Sequence, residues 1–569
     1  MSARPESVEG CGNFFEYSFR YSGKTEGDGL SREDRENRIV KEFSIDELIK
    51  LAVPKSAQDK CRVEDFFFYG SGWQSWGFGG EIEPGKYLKK YIPLIPQWKH
   101  YITFPGKAPD SVFDKKTSSE KILRGQFVIY LRWENTYLVL ASTGTCTELE
   151  NGSVPPVQFY VDRESRRIAV STYSDGKRWK GGELIAQICV FSADSFFGLK
   201  NGIQNLFGDS SSARFDYLNF LSSSTDEIKS AGWESWYNHY ADIDEKSIMR
   251  DLDELGKGDN IISVEYSRRD RPVVFQVDDG WEKGLGDWEA NLDRFPSGME
   301  NLADAISKKG YIPGLWIAPF IVDLRSDFAK KHRDWILRGE NGSLIPAGMN
   351  PLWGKFQLIN PYSFYCLDLS RDDVLEYLDD LMEKIINRWG FRYIKLDFMY
   401  AGMIHGKFAN GGAAFIWYER AIKKLTKRWV NVRGDRVAYL GCGVPLEPSY
   451  KTFPLSRIGP DTKEDWDVKL MRRIRFPART GAKPNLQSTL GHAFWDQGIF
   501  INDPDVIFMR FNNISLDDEE KELIALVNRL FASQIMYSDS PADAGSAEAD
   551  FTSQVLGLYS IFEERNSVL

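Results

Sequence analysis

Arg392-Tyr393-Ile394-Lys395-Leu396-Asp397-Phe398 and Ser456-Arg457-Ile458-Gly459-Pro460-Asp461-Thr462 each read as a short strand that delivers a carboxylate at its end. Side chains alternate across a strand, so Lys395 and Asp397 share one face while Leu396 turns to the other. In the second run Gly459-Pro460 forces a turn that re-aims Asp461 away from the strand direction. One strand ending in aspartate is commonplace and ordinarily means a helix cap or an ion pair. Two of them supply the carboxylate pair that most glycoside hydrolases set on either side of the scissile bond. Asp397 is the candidate nucleophile, because an ammonium at 395 would keep it ionised and could also donate to a substrate hydroxyl. Asp461 is the candidate acid/base, its proton affinity raised by burial or by the nearby charge of Asp397. Asp465 and Asp467 are rivals in sequence, but the helical pattern after Thr462 makes them first-turn acids.

Working outward, eight strand-like runs follow one another from residue 231: 232–237, 273–277, 312–318, 393–396, 437–441, 457–459, 500–502 and 534–537. Amphipathic segments long enough for helices lie between most of them. Ser370-Arg371-Asp372-Asp373 has the form of a capping box and starts the helix before the Asp397 strand. Strand–helix alternation repeated eight times argues for a (β/α)8 barrel, whose active site lies at the carboxyl ends of the strands. At that rim the second strand ends in Asp278 and Asp279, a pair able to grip neighbouring sugar hydroxyls. Trp233 and Trp236 sit on the first strand, Trp316 on the third, Cys442 just after the fifth, and Asn502-Asp503-Pro504-Asp505 after the seventh. Arg457 precedes Asp461 by four residues.

Residues 12–195 have a different character, with short β-rich runs at 125–133, 136–141, 157–161 and 184–191 separated by turn signals, the pattern of a sandwich. Ser-rich stretches at 210–212 and 222–224 mark the change. The fold class is therefore multidomain: an N-terminal β-sandwich with linker over 1–224, a (β/α)8 barrel over 225–540, and a helical C-terminal tail over 541–569, apolar from 555 to 562.

Composition removes other classes. With 42% hydrophobic and 27% charged residues the chain has the make-up of an ordinary globular protein. A net charge of −10, from 72 basic and 82 acidic residues, gives no footprint for nucleic acid or an anionic membrane, so a neutral small molecule is the expected partner. The first residues hold no apolar signal core and no run approaches the ~18 apolar residues of a spanning helix, which points to the cytoplasm. Cys11, Cys61, Cys146, Cys189, Cys366 and Cys442 form no C-x-x-C pair and are expected as thiols. Five histidines without i, i+3 or i+4 spacing make a zinc site improbable, and neither metal nor cofactor is expected. Several of the 17 tryptophans stand beside Gly, Ser or Asp, where a loop leaves a ring face open to a sugar.

Taken together these runs resemble glycoside hydrolase family 36, the α-galactosidases or melibiases. The matching pieces are Gly-Trp-Gln-Ser-Trp-Gly at 72–77, Gly-Trp-Glu-Ser-Trp-Tyr at 232–237, Phe-Gln-Val-Asp-Asp-Gly-Trp-Glu-Lys-Gly-Leu-Gly-Asp-Trp at 275–288 and Ile-Pro-Gly-Leu-Trp-Ile-Ala-Pro-Phe at 312–320. Cys-Leu-Asp-Leu-Ser at 366–370, Gly-Cys-Gly-Val-Pro-Leu at 441–446, Asn-Asp-Pro-Asp at 502–505 and the two opening runs complete the set. The resemblance implies Asp397 as nucleophile and Asp461 as acid/base of a retaining double displacement, which keeps the two carboxyls roughly 5–5.5 Å apart. It also implies that Asp278 and Asp279 hold O4 and O6 of galactose, that Trp236 and Trp316 wall the pocket, and that Lys395 and Arg457 bind further hydroxyls. Cys442 would lie near O2, and Trp76 would reach over from the sandwich to close the site. Specificity for N-acetylgalactosamine, transfer to a sugar acceptor, and a non-catalytic sugar-binding role are the alternatives. Two departures stand out: relatives usually finish with an antiparallel β-domain for which only about 30 residues remain here, leaving the oligomeric state open, and the loop at 408–412 has no match.

Overall fold

A computed structural model describes residues 2–4, 8–21, 37–87, 121–144, 154–208 apart from 174, 176, 178 and 180, then 217, 220, 230–257, 260–264, 273–349, 363–473 and 480–566. Cys146 and both Ser-rich stretches lie outside the described residues.

Strands β1 (Ser2–Arg4), β2 (Phe14–Arg20), β3 (Asn37–Ser44), β4 (Phe67–Ser71), β5 (Glu81–Ile82), β6 (Ile122–Trp133), β7 (Thr136–Ser142), β8 (Val157–Asp162), β9 (Arg167–Tyr173) and β10 (Leu184–Ala193) join in one antiparallel sheet. Its order is β1-β2-β10-β7-β6-β8-β9-β3, with β4 also on β6 and β5 on β4. The two layers that a sandwich keeps apart are hydrogen-bonded into one sheet here because β6 serves both. Residues 122–126 of β6 pair with β8 and residues 128–133 with β7. The change of partner falls at Phe127, whose φ of 60° kinks the strand. One face, with Ile129, Leu131, Leu138, Leu140, Ile168 and Val190, encloses a core of its own. The opposite face, with Val128, Tyr130, Val139 and Phe191, packs on Tyr450, Phe494, Trp495 and Phe500 of the second half of the chain. Burial on both faces is why β6 and β7 read as continuous apolar runs.

The second half is built on parallel strands β11 (Ser230–Glu234), β12 (Val273–Val277) and β13 (Ile312–Ile317), a small inserted sheet of β14 (Ile321–Val322), β15 (Pro346–Met349) and β16 (Ser363–Cys366), and then β17 (Tyr393–Leu396), β18 (Ala438–Gly441), β19 (Leu455–Arg457), β20 (Ile501–Asp503), β21 (Val506–Ile507) and β22 (Gln534–Tyr537). The parallel order is β20-β19-β18-β17-β13-β12-β11-β22-β21. The two ends of that sheet, β20 and β21, are successive pieces of one stretch interrupted at Pro504-Asp505, where proline has no N–H to give to a ladder. Each of the eight expected runs overlaps an observed strand, the sixth at Arg457 alone.

Helices Glu245–Leu255, Gly298–Lys308, Asp372–Glu383, Ala414–Leu425, Ala482–Gly491 and Asp518–Phe531 intervene between strands, and helix Ser546–Asn566 follows β22. The helix before β17 begins as expected but not through a capping box. Its N-cap is Arg371 without a side-chain cap bond, and the Ser370 hydroxyl donates instead to Asp368 Oδ1 at 2.7 Å. The reading of Asp465 and Asp467 as first-turn acids is also corrected, since the chain after Thr462 runs in bends and its helix begins only at Lys469.

Within the parallel sheet the period of two sorts side chains by height. Val274, Tyr393, Leu440, Leu455 and Ile501 meet in an apolar layer closed by Tyr217 and Phe220. Two residues further along the same strands come Gln276, Lys395, Cys442, Arg457 and Asp503, all buried. The sheet is oily at the amino ends of its strands and ionic at their carboxyl ends.

Candidate active site

Lys395 and Arg457, each extended from an apolar strand, are the two cations of this ionic layer, and each is gripped by carboxylates from other strands of the sheet. The Lys395 ammonium lies 2.8 Å from Asp278 Oδ2 and 3.3 Å from Glu234 Oε2. Burial works against its charge, but Asp278 and Glu234 outweigh burial and hold it well above the ordinary lysine range. The expected pairing of Lys395 with Asp397 is thus corrected: its partners are Asp278 and Glu234. Arg457 Nε donates to Asp503 Oδ2 at 3.0 Å, while Nη1 donates to Asp505 Oδ2 at 2.8 Å and to Asp461 Oδ1 at 3.3 Å. Asp505 is itself fixed by the Tyr237 hydroxyl and the Thr462 N–H.

Asp397 follows the last residue of β17 and is 8% exposed. Its Oδ2 accepts the Trp316 indole N–H at 2.9 Å, and its Oδ1 accepts the Phe398 N–H at 2.7 Å. Phe398 has φ 53°, a left-handed conformation that a bulky residue adopts only when its surroundings hold it there. Trp316 is fixed in turn, with its carbonyl taking the Trp281 N–H at 2.9 Å and its ring 6.0 Å from that of Trp288.

Asp461 stands beyond β19 on the Gly459-Pro460 turn, and its side chain keeps 43% of its surface open. Crowding by surrounding protein pushes its carboxyl up to about 7; Arg457 opposes the rise, and Asp505 and Asp397 add to it. Only β18 separates β17 from β19 in the sheet, so the two strand-end acids emerge at the same end of it. Asp278 and Asp279 are both buried at the end of β12. Asp278 is locked to Lys395 and to Gln276 Nε2 at 2.7 Å, and Asp279 engages the Glu282 carboxyl, which burial raises.

Trp76 arrives from the antiparallel half on the loop after β4. Gly72 and Gly77 pinch that loop so tightly that a Cβ on Gly72 would lie 2.7 Å from Gly77 Cα. The Ser75 N–H donates to the Val444 carbonyl at 2.9 Å and the Leu446 N–H to the Trp73 carbonyl at 3.2 Å, so backbone bonds moor the loop beyond β18. The Trp76 ring then covers Gly443 and its Nε1 reaches Cys442 Sγ at 3.2 Å. Burial lifts the Cys442 thiol well above its ordinary range. Trp236 does not belong to the first strand, which ends at Glu234; it opens the short helix Trp236–His239 and stands half-buried against Tyr240. Trp233 is not a rim residue. It is fully buried, stacked on Phe275 with ring centroids 4.4 Å apart.

Sequence reading missed Glu234 and Gln276, which complete the Lys395 cluster, and gave no role to Asp503 and Asp505, which hold Arg457. A polar residue in phase with the inward face of an apolar strand was the available signal for the first pair. The Asp-Pro-Asp spacing was the signal for the second. The loop at 408–412 is pinned from the inserted region, with the Ala409 N–H donating to Asp368 Oδ2 at 2.8 Å and the Asn410 amide to the Ser370 carbonyl at 2.6 Å. Among the described residues no group of three or more His, Cys, Asp or Glu is placed to hold a metal ion, and no helix is long and apolar enough to cross a membrane. No disulfide joins any two of the five described cysteines.

Residues 233–401, the stretch from β11 past Asp397, match the Melibiase family model. Among curated proteins, α-galactosidase AgaA of Geobacillus stearothermophilus is 30% identical over 128 residues, covering 21% of this chain and 16% of that enzyme. α-Galactosidase Mel36A of Lactobacillus acidophilus is 27% identical over 179 residues, covering 30% of this chain and 21% of that enzyme. The matched stretches thus span a minor part of those relatives' own length. Among solved structures, the α-galactosidase of Thermus thermophilus in complex with stachyose aligns with a TM-score of 0.66 at 24% identity, covering 98% of this chain and 99% of that one. The family 36 enzyme AgaA of Geobacillus stearothermophilus aligns with a TM-score of 0.54 at 15% identity, covering 88% of this chain and 61% of that one.

Proposed function

We infer that this chain, melibiase-like over 233–401 and folded like the family 36 α-galactosidases, is a retaining exo-α-galactosidase that releases terminal α-D-galactosyl residues from oligosaccharides. One observation carries the reading: β17 and β19, one strand apart in the sheet, each deliver a carboxyl at the same end, Asp397 with both oxygens held by N–H donors and Asp461 pushed up to about 7 mainly by burial. The first is a fixed nucleophile and the second a proton donor at neutral pH.

In this mechanism Asp397 attacks the anomeric carbon while Asp461 passes its proton to the departing glycosidic oxygen. The ester that forms at Asp397 carries no charge, so one cause of the raised proton affinity of Asp461 disappears. Asp461 remains ionised and takes a proton from water as that water attacks the galactosyl carbon, which frees Asp397 and restores the acid. Asp278, Asp279 and Lys395 would bind the ring hydroxyls of galactose, with Arg457 orienting Asp461. Trp316, Trp236 and Trp76 would wall the sugar, and Cys442 would lie under O2.

The finer architecture belongs to the same reading. We take the parallel sheet as a (β/α)8 barrel over 225–540, closed through the interrupted β20–β21 stretch, preceded by a sandwich-like domain over 1–224 and followed by a helical tail over 541–569. The partner is a neutral small α-galactoside and the compartment the cytoplasm. The Thermus thermophilus α-galactosidase, a structural relative also solved in complex with p-nitrophenyl α-D-galactopyranoside, supports the choice of sugar and suggests a practical probe.

The test is release of p-nitrophenol from α- and β-galactoside, α-N-acetylgalactosaminide and α-glucoside by wild type beside Asp397→Asn. Cleavage of the α-galactoside by wild type alone supports sugar, anomer and nucleophile together. Preference for the N-acetyl sugar would move the specificity, and an Asp397→Asn variant as fast as wild type would overturn the nucleophile.

A further inference from the structure

β11 ends in a carboxyl that the proposed chemistry leaves unused. The Glu234 side chain is 3% accessible, and its Oε2 accepts Lys395 Nζ at 3.3 Å and Gln276 Nε2 at 3.1 Å. Asp278 Oδ2 accepts the same two donors, at 2.8 and 2.7 Å. One ammonium and one amide therefore bridge two carboxyls. Both N–H bonds of Gln276 are spent on this bridge, while among the described residues no donor reaches Gln276 Oε1 or Glu234 Oε1, both buried acceptors. Two such acceptors in one cluster are unfavourable unless a proton or a ligand hydroxyl reaches them.

We propose that Glu234 is a positioning residue for the sugar site: by sharing Lys395 and Gln276 with Asp278 it fixes the direction in which Asp278 and Lys395 meet the galactosyl hydroxyls, and so sets the affinity for the sugar without touching it. The proposal rests on the galactosidase reading. Four charged groups face Glu234: Lys395 from β17, Asp278 from β12, Asp505 from the interruption before β21 and Arg457 from β19. Burial pushes the Glu234 carboxyl up to about 8, with Lys395 opposing and Asp278 adding to the rise. In its protonated form Glu234 leaves Lys395 and Asp278 as a matched pair of charges and turns Oε1 into a donor. Loss of that proton puts a second buried negative charge beside Lys395 and draws the ammonium away from Asp278. The sugar grip thus weakens as pH rises through about 8.

The experiment is calorimetric titration with D-galactose at pH 6 and pH 9, together with KM and kcat on p-nitrophenyl α-galactoside, for wild type, Glu234→Leu and Glu234→Gln, each checked for folding by circular dichroism. Glu234→Leu is expected to raise Kd and KM about tenfold with a smaller change in kcat, the effect of misdirecting one charge-assisted hydrogen bond. Glu234→Gln, neutral and of the same shape, is expected to recover most of that affinity and to lose the weakening seen in wild type between pH 6 and pH 9. The proposal is overturned by a folded Glu234→Leu with wild-type KM, or by a Glu234→Gln whose affinity falls with pH as in wild type. The second outcome decides the matter even where Glu234→Leu does not fold. A wild type that neither binds galactose nor cleaves the galactoside overturns the functional reading itself.

Discussion

Asp397 and Asp461 both follow short strands of one parallel sheet, yet the sheet treats them in opposite ways. Asp397 comes directly off β17, is 8% exposed and has a fixed N–H donor on each oxygen. Asp461 stands four residues past Arg457 on a Gly-Pro turn, 43% open, with Arg457 Nη1 3.3 Å away and a carboxyl pushed up to about 7. Placement on the strand fixes a carboxylate in position; on the turn, loss of solvation is the main cause of the raised carboxyl, with Asp505 and Asp397 adding to it and Arg457 opposing it. On the proposed reading, the division of labour between nucleophile and acid/base follows from how far each acid stands beyond its strand, one residue for Asp397 and four for Asp461.

The comparison breaks most visibly at the first carboxylate. Asp397→Ala is expected to lower turnover on the order of 10⁴-fold or more, the scale for losing a nucleophile. Azide should restore product release with inverted configuration, read by NMR of the released sugar. A variant within tenfold of wild type without azide would show that Asp397 is not attacked to form the ester.

Asp461→Asn should cost about 10²–10⁴-fold on an unactivated galactosyl oligosaccharide. The loss in the galactosylation step should be smaller on p-nitrophenyl α-galactoside, whose leaving group needs little protonation. The acid must carry its proton, so wild-type kcat/KM should fall as pH rises through about 7, and that fall should vanish in the variant. An unchanged alkaline limb in Asp461→Asn would assign the proton to another group.

Trp316→Phe tests the fixed side of the comparison. It keeps the wall and removes the indole N–H that Asp397 Oδ2 accepts, a hydrogen bond to a charged group worth about 1.5–3 kcal/mol. A fall in kcat of roughly ten- to a hundredfold with little change in KM is expected. A KM effect alone would make Trp316 a wall and nothing more.

How much of this was legible beforehand follows from the distances over which each feature is determined. The strand-end acids, the eight strand positions and the β-rich first half were readable because they depend on local alternation and turns. The partner of Lys395 was not, because residues 395 and 397 share a face yet Lys395 reaches across to β12 and β11, and a two-residue spacing does not show which other strand supplies an acid. The role of Asp503 and Asp505 was hidden for the same reason. Trp233 and Trp236 look alike in sequence and part company because the strand ends at Glu234, one residue before the Ser235 that precedes the helix. The continuity of the first sheet turned on a single kink at Phe127, which no residue pattern announces.

Glu447 offers the finest test of what separates a working acid from a merely raised one. It too is a carboxyl pushed up, to about 8, but it is sealed where the two halves meet, accepting the Ser142 hydroxyl and the Val157 N–H across the contact. It lies next to Leu446, whose N–H moors the Trp76 loop. Burial is the main cause of its shift, so the folded protein binds this proton more tightly than the unfolded chain, where a glutamate titrates near about 4.3. The stability contributed by that proton is fully present below about 4.3 and is lost as pH rises through about 8. Glu447→Gln, permanently neutral and able to keep both contacts because the Ser142 hydroxyl can turn to accept, should therefore melt with wild type at pH 5. At pH 8.5 it should melt a few degrees above wild type. Its activity near neutral pH should be unchanged, unlike that of Asp461→Asn. Equal offsets in melting temperature at the two pH values would mean that Glu447 binds its proton no more tightly in the folded protein than in the unfolded chain, and the likeness between the two raised acids would fail at the sealed one.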